Sequence, residues 1–194
     1  MSFQDALSAR LFERRTVVVR GVLDDVAASD AAAALMTLDA SADEPVTLHL
    51  DCTATDVGPA FVLVDTIDLM GVPVHGVCIG RLEGPAVAVL AVTHRRFIAR
   101  HARVRLAEPS ASFAGHAADL ERFLADHHRQ VERFARRLAE ATGRPMEHVE
   151  ADLQRNRFLD AEEAIAYGLA DEVLGPEPLG GRAPFGFQPP APRV

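Results

Sequence analysis

Alternation between β-branched runs and helical patterns constrains this chain more than any other feature. Thr16-Val17-Val18-Val19 predicts a strand, and Asp24-Asp25 then opens an Ala-rich helix through Asp39, with Leu35 and Leu38 at helical spacing. The unit repeats. Val46–Leu50 predicts a strand, Asp51–Asp56 a polar turn, and Ala60–Met70 a helix with Val62, Leu63, Thr66, Ile67 and Met70 on one face. Val74–Ile79 predicts a third strand, Gly80–Gly84 a turn, and Ala86–Val92 an apolar helix. Such alternation implies an α/β fold whose parallel strands are joined by right-handed helical crossovers and buried on both faces, so the strands are nearly continuous apolar runs.

Arg96–Ala99 and Val104–Leu106 are shorter strand candidates, and the longest helical pattern follows from about Ala117 to Ala141. Leu120, Phe123, Leu124, Val131, Phe134, Ala135 and Leu138 line one stripe of that helix, with charged residues mostly elsewhere. Its length predicts projection from the core. Gly143 supplies a C-terminal stop, and Asp160 with Glu163 predicts a capping box for a helix ending at Gly168. A chain of 194 residues suits one domain, here over residues 1–174, and the Pro/Gly-rich stretch 175–194 predicts a flexible tail.

Composition narrows the function classes. Hydrophobic residues at 48% and charged residues at 25% are an ordinary globular balance, and the lack of Trp predicts an aliphatic interior. A net charge of -8 argues against nucleic acid, since phosphate binding needs clustered Lys and Arg, and Arg100, Arg103 and Arg105 make only a small cluster. Neither a secretory signal nor a bilayer-length apolar run is visible, so a cytoplasmic location is expected. Cys52 and Cys78 would then stay reduced and serve as small buried hydrophobes. His127 and His128, neighbours on a helix, diverge by about 100° and predict no metal site. No cofactor is implied.

From about Ala9 to Leu174 the chain resembles the Clp-type serine protease (ClpP) family in order and spacing. The matching residues are Arg10-Leu11 with Arg15, Asp65-Thr66, Cys78-Ile79-Gly80, Arg155 with Arg157-Phe158-Leu159, Ala161-Glu162-Glu163-Ala164, and Tyr167-Gly168-Leu169-Ala170-Asp171. The resemblance implies a ClpP/crotonase-like superhelix of repeated ββα units with a protruding handle helix. On that pattern the head covers about 9–107, the handle about 108–142, and the C-terminal helices and strand about 145–174.

Active members of that family are serine endopeptidases, and the resemblance places Gly84 at the nucleophile position, after Gly80-Arg81-Leu82-Glu83. Ala107 falls at the general-base position within Arg103–Pro109, and Asn156 at the acid position before Arg157-Phe158. The oxyanion-hole glycines match Ala54 and Thr55, with Asp56 next to them, and the second donor position is Pro85, which has no N–H. The glycine-rich substrate strand becomes Ser110–Gly115, a bulkier edge for an extended peptide. Every catalytic component is replaced together. The resemblance therefore implies a pseudoprotease subunit, structural or regulatory, forming homo-oligomeric rings or mixed rings with an active paralogue.

Arg155 keeps part of the family's inter-ring contact. The chain starts close to the first family helix, so an ordinary AAA+ unfoldase partnership is not expected. Two other readings stay open. One is a small-ligand or acyl-binding module on the same fold. The other is a hydrolase with a relocated nucleophile, either Ser110 or Ser112 with His116, or Cys78 with His75, although a strand points residues three apart to opposite faces.

Overall fold

The computed structural model describes residues 3–112 and 116–174. The predicted tail, and residues 113–115 of the expected bulkier edge, lie outside the described residues. The elements are α1 (Phe3–Glu13), β1 (Thr16–Val22), α2 (Asp25–Asp39), β2 (Val46–Thr53), α3 (Val57–Leu69), β3 (Val74–Glu83) and α4 (Ala86–Ala91). They continue as β4 (Arg95–Ala99), β5 (Arg103–Arg105), α5 (Ala117–Thr142), α6 (Met146–Gln154), β6 (Phe158–Leu159), α7 (Ala161–Tyr167) and β7 (Glu172–Leu174).

Local chemistry sets the boundaries. The Asp24 carboxylate caps α2 by accepting from the Ala27 N–H at 2.9 Å. Asp160 and Glu163 form the capping box of α7, each side chain accepting from the other's backbone N–H at 2.9 Å. Gly143 ends α5 at φ 67°, and Gly168 ends α7 at φ 91°. A Cβ on Gly168 would stand 2.7 Å from the Thr142 carbonyl oxygen, so the two helix ends abut.

One seven-stranded sheet runs β1-β2-β3-β4-β7, with β5 pairing β3 and β6 pairing β5. All pairings are parallel except β5 with β6. Leu48, Leu50, Cys52, Cys78 and Leu82 pack into the core with α2 through the Ala28, Ala32 and Leu35 face, and with the wholly buried α4. Arg15, in left-handed backbone at φ 53°, ties the start of β1 to the α2–β2 connection. Its guanidinium donates to Ser41 Oγ at 2.9 Å, the Ala42 carbonyl at 3.0 Å and the Glu44 carbonyl at 2.7 Å.

The predicted turn at Gly80–Gly84 is corrected. β3 continues to Glu83, and the chain turns only at Gly84-Pro85. The glycine signal at Gly80 marks a bulge instead, because the register steps from Leu50↔Cys78 to Cys52↔Leu82. Asp51 fills the gap by accepting from the Arg81 N–H at 2.9 Å, and a Cβ on Gly80 would collide with its carboxylate. The bulge also divides β3 between two partners: His75–Cys78 pair with β4, and Arg81–Glu83 pair with β5.

The long helix α5 has two characters. Phe134, Ala135 and Leu138 are fully buried against α4 and α6, each large side chain contributing about 1.5–3 kcal/mol. Arg137 adds a two-pronged bond to Asp68 of α3 at 2.7 and 2.8 Å. Farther toward its N-terminus, Phe123 and Leu124 are 46% and 47% exposed. At 26 residues the helix is about 39 Å long, and only its C-terminal half is embedded.

A cluster at Arg96 secures that base. Its guanidinium donates to the Asp171 carboxylate, the Gly168 carbonyl at 2.7 Å and the Ala141 carbonyl at 3.2 Å, while its N–H donates to Asp171 at 2.8 Å. Strand β4, the end of α5 and the approach to β7 meet at one side chain.

Candidate functional site

In parallel sheets, crevices form beyond the carboxyl ends of the strands, where the strand order branches. Here that place is the end of β3, flanked by β2 and β5. The chain leaves β3 at Gly84, whose φ of 62° is left-handed, and its N–H donates to the Arg105 carbonyl at 3.0 Å. Ala54, following β2, donates its N–H to the Glu83 carbonyl at 3.1 Å. On the other side, the Leu106 N–H donates to the Arg157 carbonyl at 2.8 Å. That bond continues the antiparallel register Val104↔Leu159 and Arg105↔Phe158 by one residue, so the segments that carry Ala107 and Asn156 run beside each other.

The fold thus brings the segments bearing Gly84, Ala107 and Asn156 side by side beyond the end of β3. None of the three positions carries a hydroxyl, thiol, imidazole or carboxylate. Gly84 offers no side chain, and a Cβ there would run into the Ala54 carbonyl oxygen. Ala107 is buried with a methyl group only. Asn156 is exposed in left-handed backbone at φ 52°, a conformation Asn tolerates well, and it serves the turn from α6 to β6. Arg155 beside it is exposed at the C-terminal end of α6.

The donors expected around a developing oxyanion are differently occupied. Pro85 sits at the start of α4 without an N–H, and the Ala54 N–H is spent on Glu83. Thr55 is exposed, and its carbonyl accepts from the Ser110 N–H at 2.9 Å. Asp56 caps α3 by accepting from the Gly58 N–H at 3.0 Å, a structural reason for an acid at that position.

Sequence reasoning missed a charged pair at the same place. Glu83 and Arg105 face each other across β3 and β5, with their side chains 3.3 Å apart, and Arg81 approaches Glu83 at 3.6 Å. Alternation along each strand was the available signal, but only the pairing of β3 with β5 brings the two charges together.

The relocated candidates are placed as follows. Ser110, Ser112 and His116 are all exposed, and His116 stands at the start of α5 without a side-chain capping bond. Cys78 is buried in the core, where burial, then the neighbouring Cys52 and Asp51, push its thiol up to about 12. Burial, then Asp51, likewise push Cys52 up to about 12. Such thiols stay protonated at neutral pH. His75, on the other face of β3, packs edge-on to Phe97, and its pKa is lowered by burial and then by Arg95 and His94. Outside those candidates, His94 accepts from the Val74 N–H at 3.2 Å, and His128, expected to bind no metal, is exposed.

Among the described residues no group of three or more His, Cys, Asp and Glu side chains is placed to hold a metal. A groove of about 510 Å³ lies at the β1 edge, lined by Leu7, Leu11, Phe12, Val17, Val19 and Ala31, two strands away from the crevice. No helix among the described residues is long and apolar enough to cross a membrane.

The branched parallel sheet, with its crossover helices and long α5, is a ClpP/crotonase-like α/β fold. The family model described as Clp protease matches residues 2–177, and the chain belongs to that family.

Proposed function

We propose that this chain is a non-hydrolytic member of the Clp protease family that acts as a structural or regulatory ring subunit, alone or mixed with an active paralogue. The observation that carries the reading is the backbone at Gly84: left-handed, without a side chain, and with the Ala54 carbonyl where a Cβ would go.

Serine peptidases need an activated hydroxyl, a base to take its proton, an acid to orient that base, and converging N–H donors for the oxyanion. At the corresponding crevice this chain has a hydrogen, a methyl group, an amide and a proline nitrogen. One missing oxyanion donor costs about 3–4 kcal/mol of barrier, and loss of nucleophile or base about 10⁶ in rate, without simple additivity.

Assembly is supported by the family, whose members usually form rings, and by α5. Phe123 and Leu124 on its projecting half leave apolar surface that contact with a second subunit would bury. Incubation with a serine-directed fluorophosphonate and short fluorogenic peptides tests the first half of the reading: no labelling and no turnover are expected. Covalent labelling at any one residue overturns it. Native mass spectrometry tests the second half, with a ring expected alone or together with a co-purifying paralogue. A folded monomer under all these conditions removes the ring role.

A further inference from the structure

Beyond the end of β3, the continuations of β2 and β5 flank a slot that β3 itself no longer fills, because the chain turns away at Gly84-Pro85 into α4. Strands lie about 4.8 Å apart, so two strands flanking a missing one stand about 9.6 Å apart. A slot of that width admits one extended peptide, pairing with both walls as an added strand.

In this chain the walls meet directly. The segment leaving β5 runs through buried Leu106, Ala107 and Pro109, and the Ser110 N–H donates to the Thr55 carbonyl at 2.9 Å. The Ala54 N–H is likewise already bonded to Glu83. The Ala54 bond is the last rung of the β2–β3 ladder, so the contact that joins the two walls beyond it is the one from Ser110 to Thr55.

We propose that residues 106–110 form a built-in strap that closes this slot, so that the chain excludes extended peptides as well as failing to cleave them. This deepens the non-hydrolytic reading and rests on it. An active-site relic that still captured unfolded segments would compete with active subunits for substrate, and a strapped one does not. A peptide gains entry only by displacing the Ser110 N–H from Thr55.

The experiment uses the full chain and two readouts. Residue-resolved amide hydrogen exchange is expected to show Ser110 protected relative to the exposed Ser112. Fluorescence anisotropy with a Leu-Val-Thr-Leu-Ala-amide probe carrying fluorescein on its N-terminal amine is then compared for wild type and Ser110→Pro, which removes the donor. Tighter binding by about five- to tenfold is expected in the variant, the ratio one backbone hydrogen bond is worth in water. Pro109→Gly, which loosens the strap and keeps the N–H, shifts binding in the same direction, and it carries the comparison if circular dichroism shows Ser110→Pro unfolded. Exchange of Ser110 at the rate of an unstructured chain overturns the strap, as does equal binding, or equal absence of binding, by wild type and the folded variants. Fluorophosphonate labelling would instead overturn the non-hydrolytic reading and leave the exchange result standing, so the two failures are distinguishable.

Discussion

The carbonyl oxygen of Ala54 occupies the space into which a side chain on Gly84 would project, and Gly84 itself holds a left-handed backbone at φ 62°. Gly84→Ser should therefore restore no hydrolysis. A non-glycine residue in that backbone region costs about 1–3 kcal/mol before the collision with Ala54 is added. We expect the urea midpoint to fall and fluorophosphonate labelling to stay at background. Labelling of the variant at Ser would show that the turn relaxes enough to rebuild a nucleophile.

Arg96 satisfies Asp171 and the carbonyls of Gly168 and Ala141 simultaneously. Arg96→Ala leaves those acceptors unpaired, so a loss of about 1–3 kcal/mol is expected in chemical denaturation. Arg96→Lys should recover little, because an ammonium cannot span three acceptors as a planar guanidinium does. Burial of the Asp171 carboxyl opposes its ionisation, but hydrogen bonds and charge from Arg96 outweigh this and hold it below its ordinary value. A depressed carboxyl stabilises the fold above its unfolded pKa of about 3.9 and loses that contribution as pH falls through the folded value. The gap between wild type and Arg96→Ala should thus narrow below about pH 4.

His49 titrates in a different window. Buried on β2 at 6% exposure, its pKa is lowered to about 4, by burial first and then by the Arg20 charge. The unfolded chain binds this proton near pH 6.5 and the folded chain resists it, so stability is complete above about pH 6.5 and drains as pH falls toward 4. His49→Leu should flatten that part of the profile, on the order of 2 kcal/mol between the two ends. Urea midpoints at pH 7 and pH 4.5 measure it, and an unchanged slope would exclude His49 as its source.

Phe123 and Leu124 offer a direct test of assembly through α5. Replacing both with Asp puts charge on the exposed apolar stretch without touching Phe134, Ala135 or Leu138, which anchor the helix. The double variant should keep its thermal midpoint within a few degrees and lose the largest species in native mass spectrometry. Persistence of that species places the contact elsewhere.

Much of the fold was legible because its elements are punctuated chemically. Asp24, the Asp160 and Glu163 pair, Gly143 and Gly168 each mark a helix end at the position where the structure puts it. Gly80 misled, because a glycine in a strand reads equally as a turn or a bulge, and only the Asp51 carboxylate from β2 decides between them. The Glu83 and Arg105 pair was hidden because their meeting depends on β3 changing partners partway along its length. The Ser110 to Thr55 bond was less visible still, since it joins backbone groups that every residue carries. Resemblance alone singled out Gly84, Ala107 and Asn156. That a Cβ on Gly84 would meet the Ala54 carbonyl follows only from the folded backbone.

The junction at Arg96 also bears on how the polypeptide is made. Synthesis proceeds from the N-terminus at about 5–20 residues per second, and strands β1 to β4 emerge well before Gly168 and Asp171. Until Gly168 and Asp171 leave the ribosome, the Arg96 guanidinium has only the Ala141 carbonyl to bond, and the seal at the base of α5 is incomplete. The nascent protein therefore passes through an interval in which its half-finished sheet carries an unlocked rim, and any chaperone or companion subunit that shields it must act within those seconds.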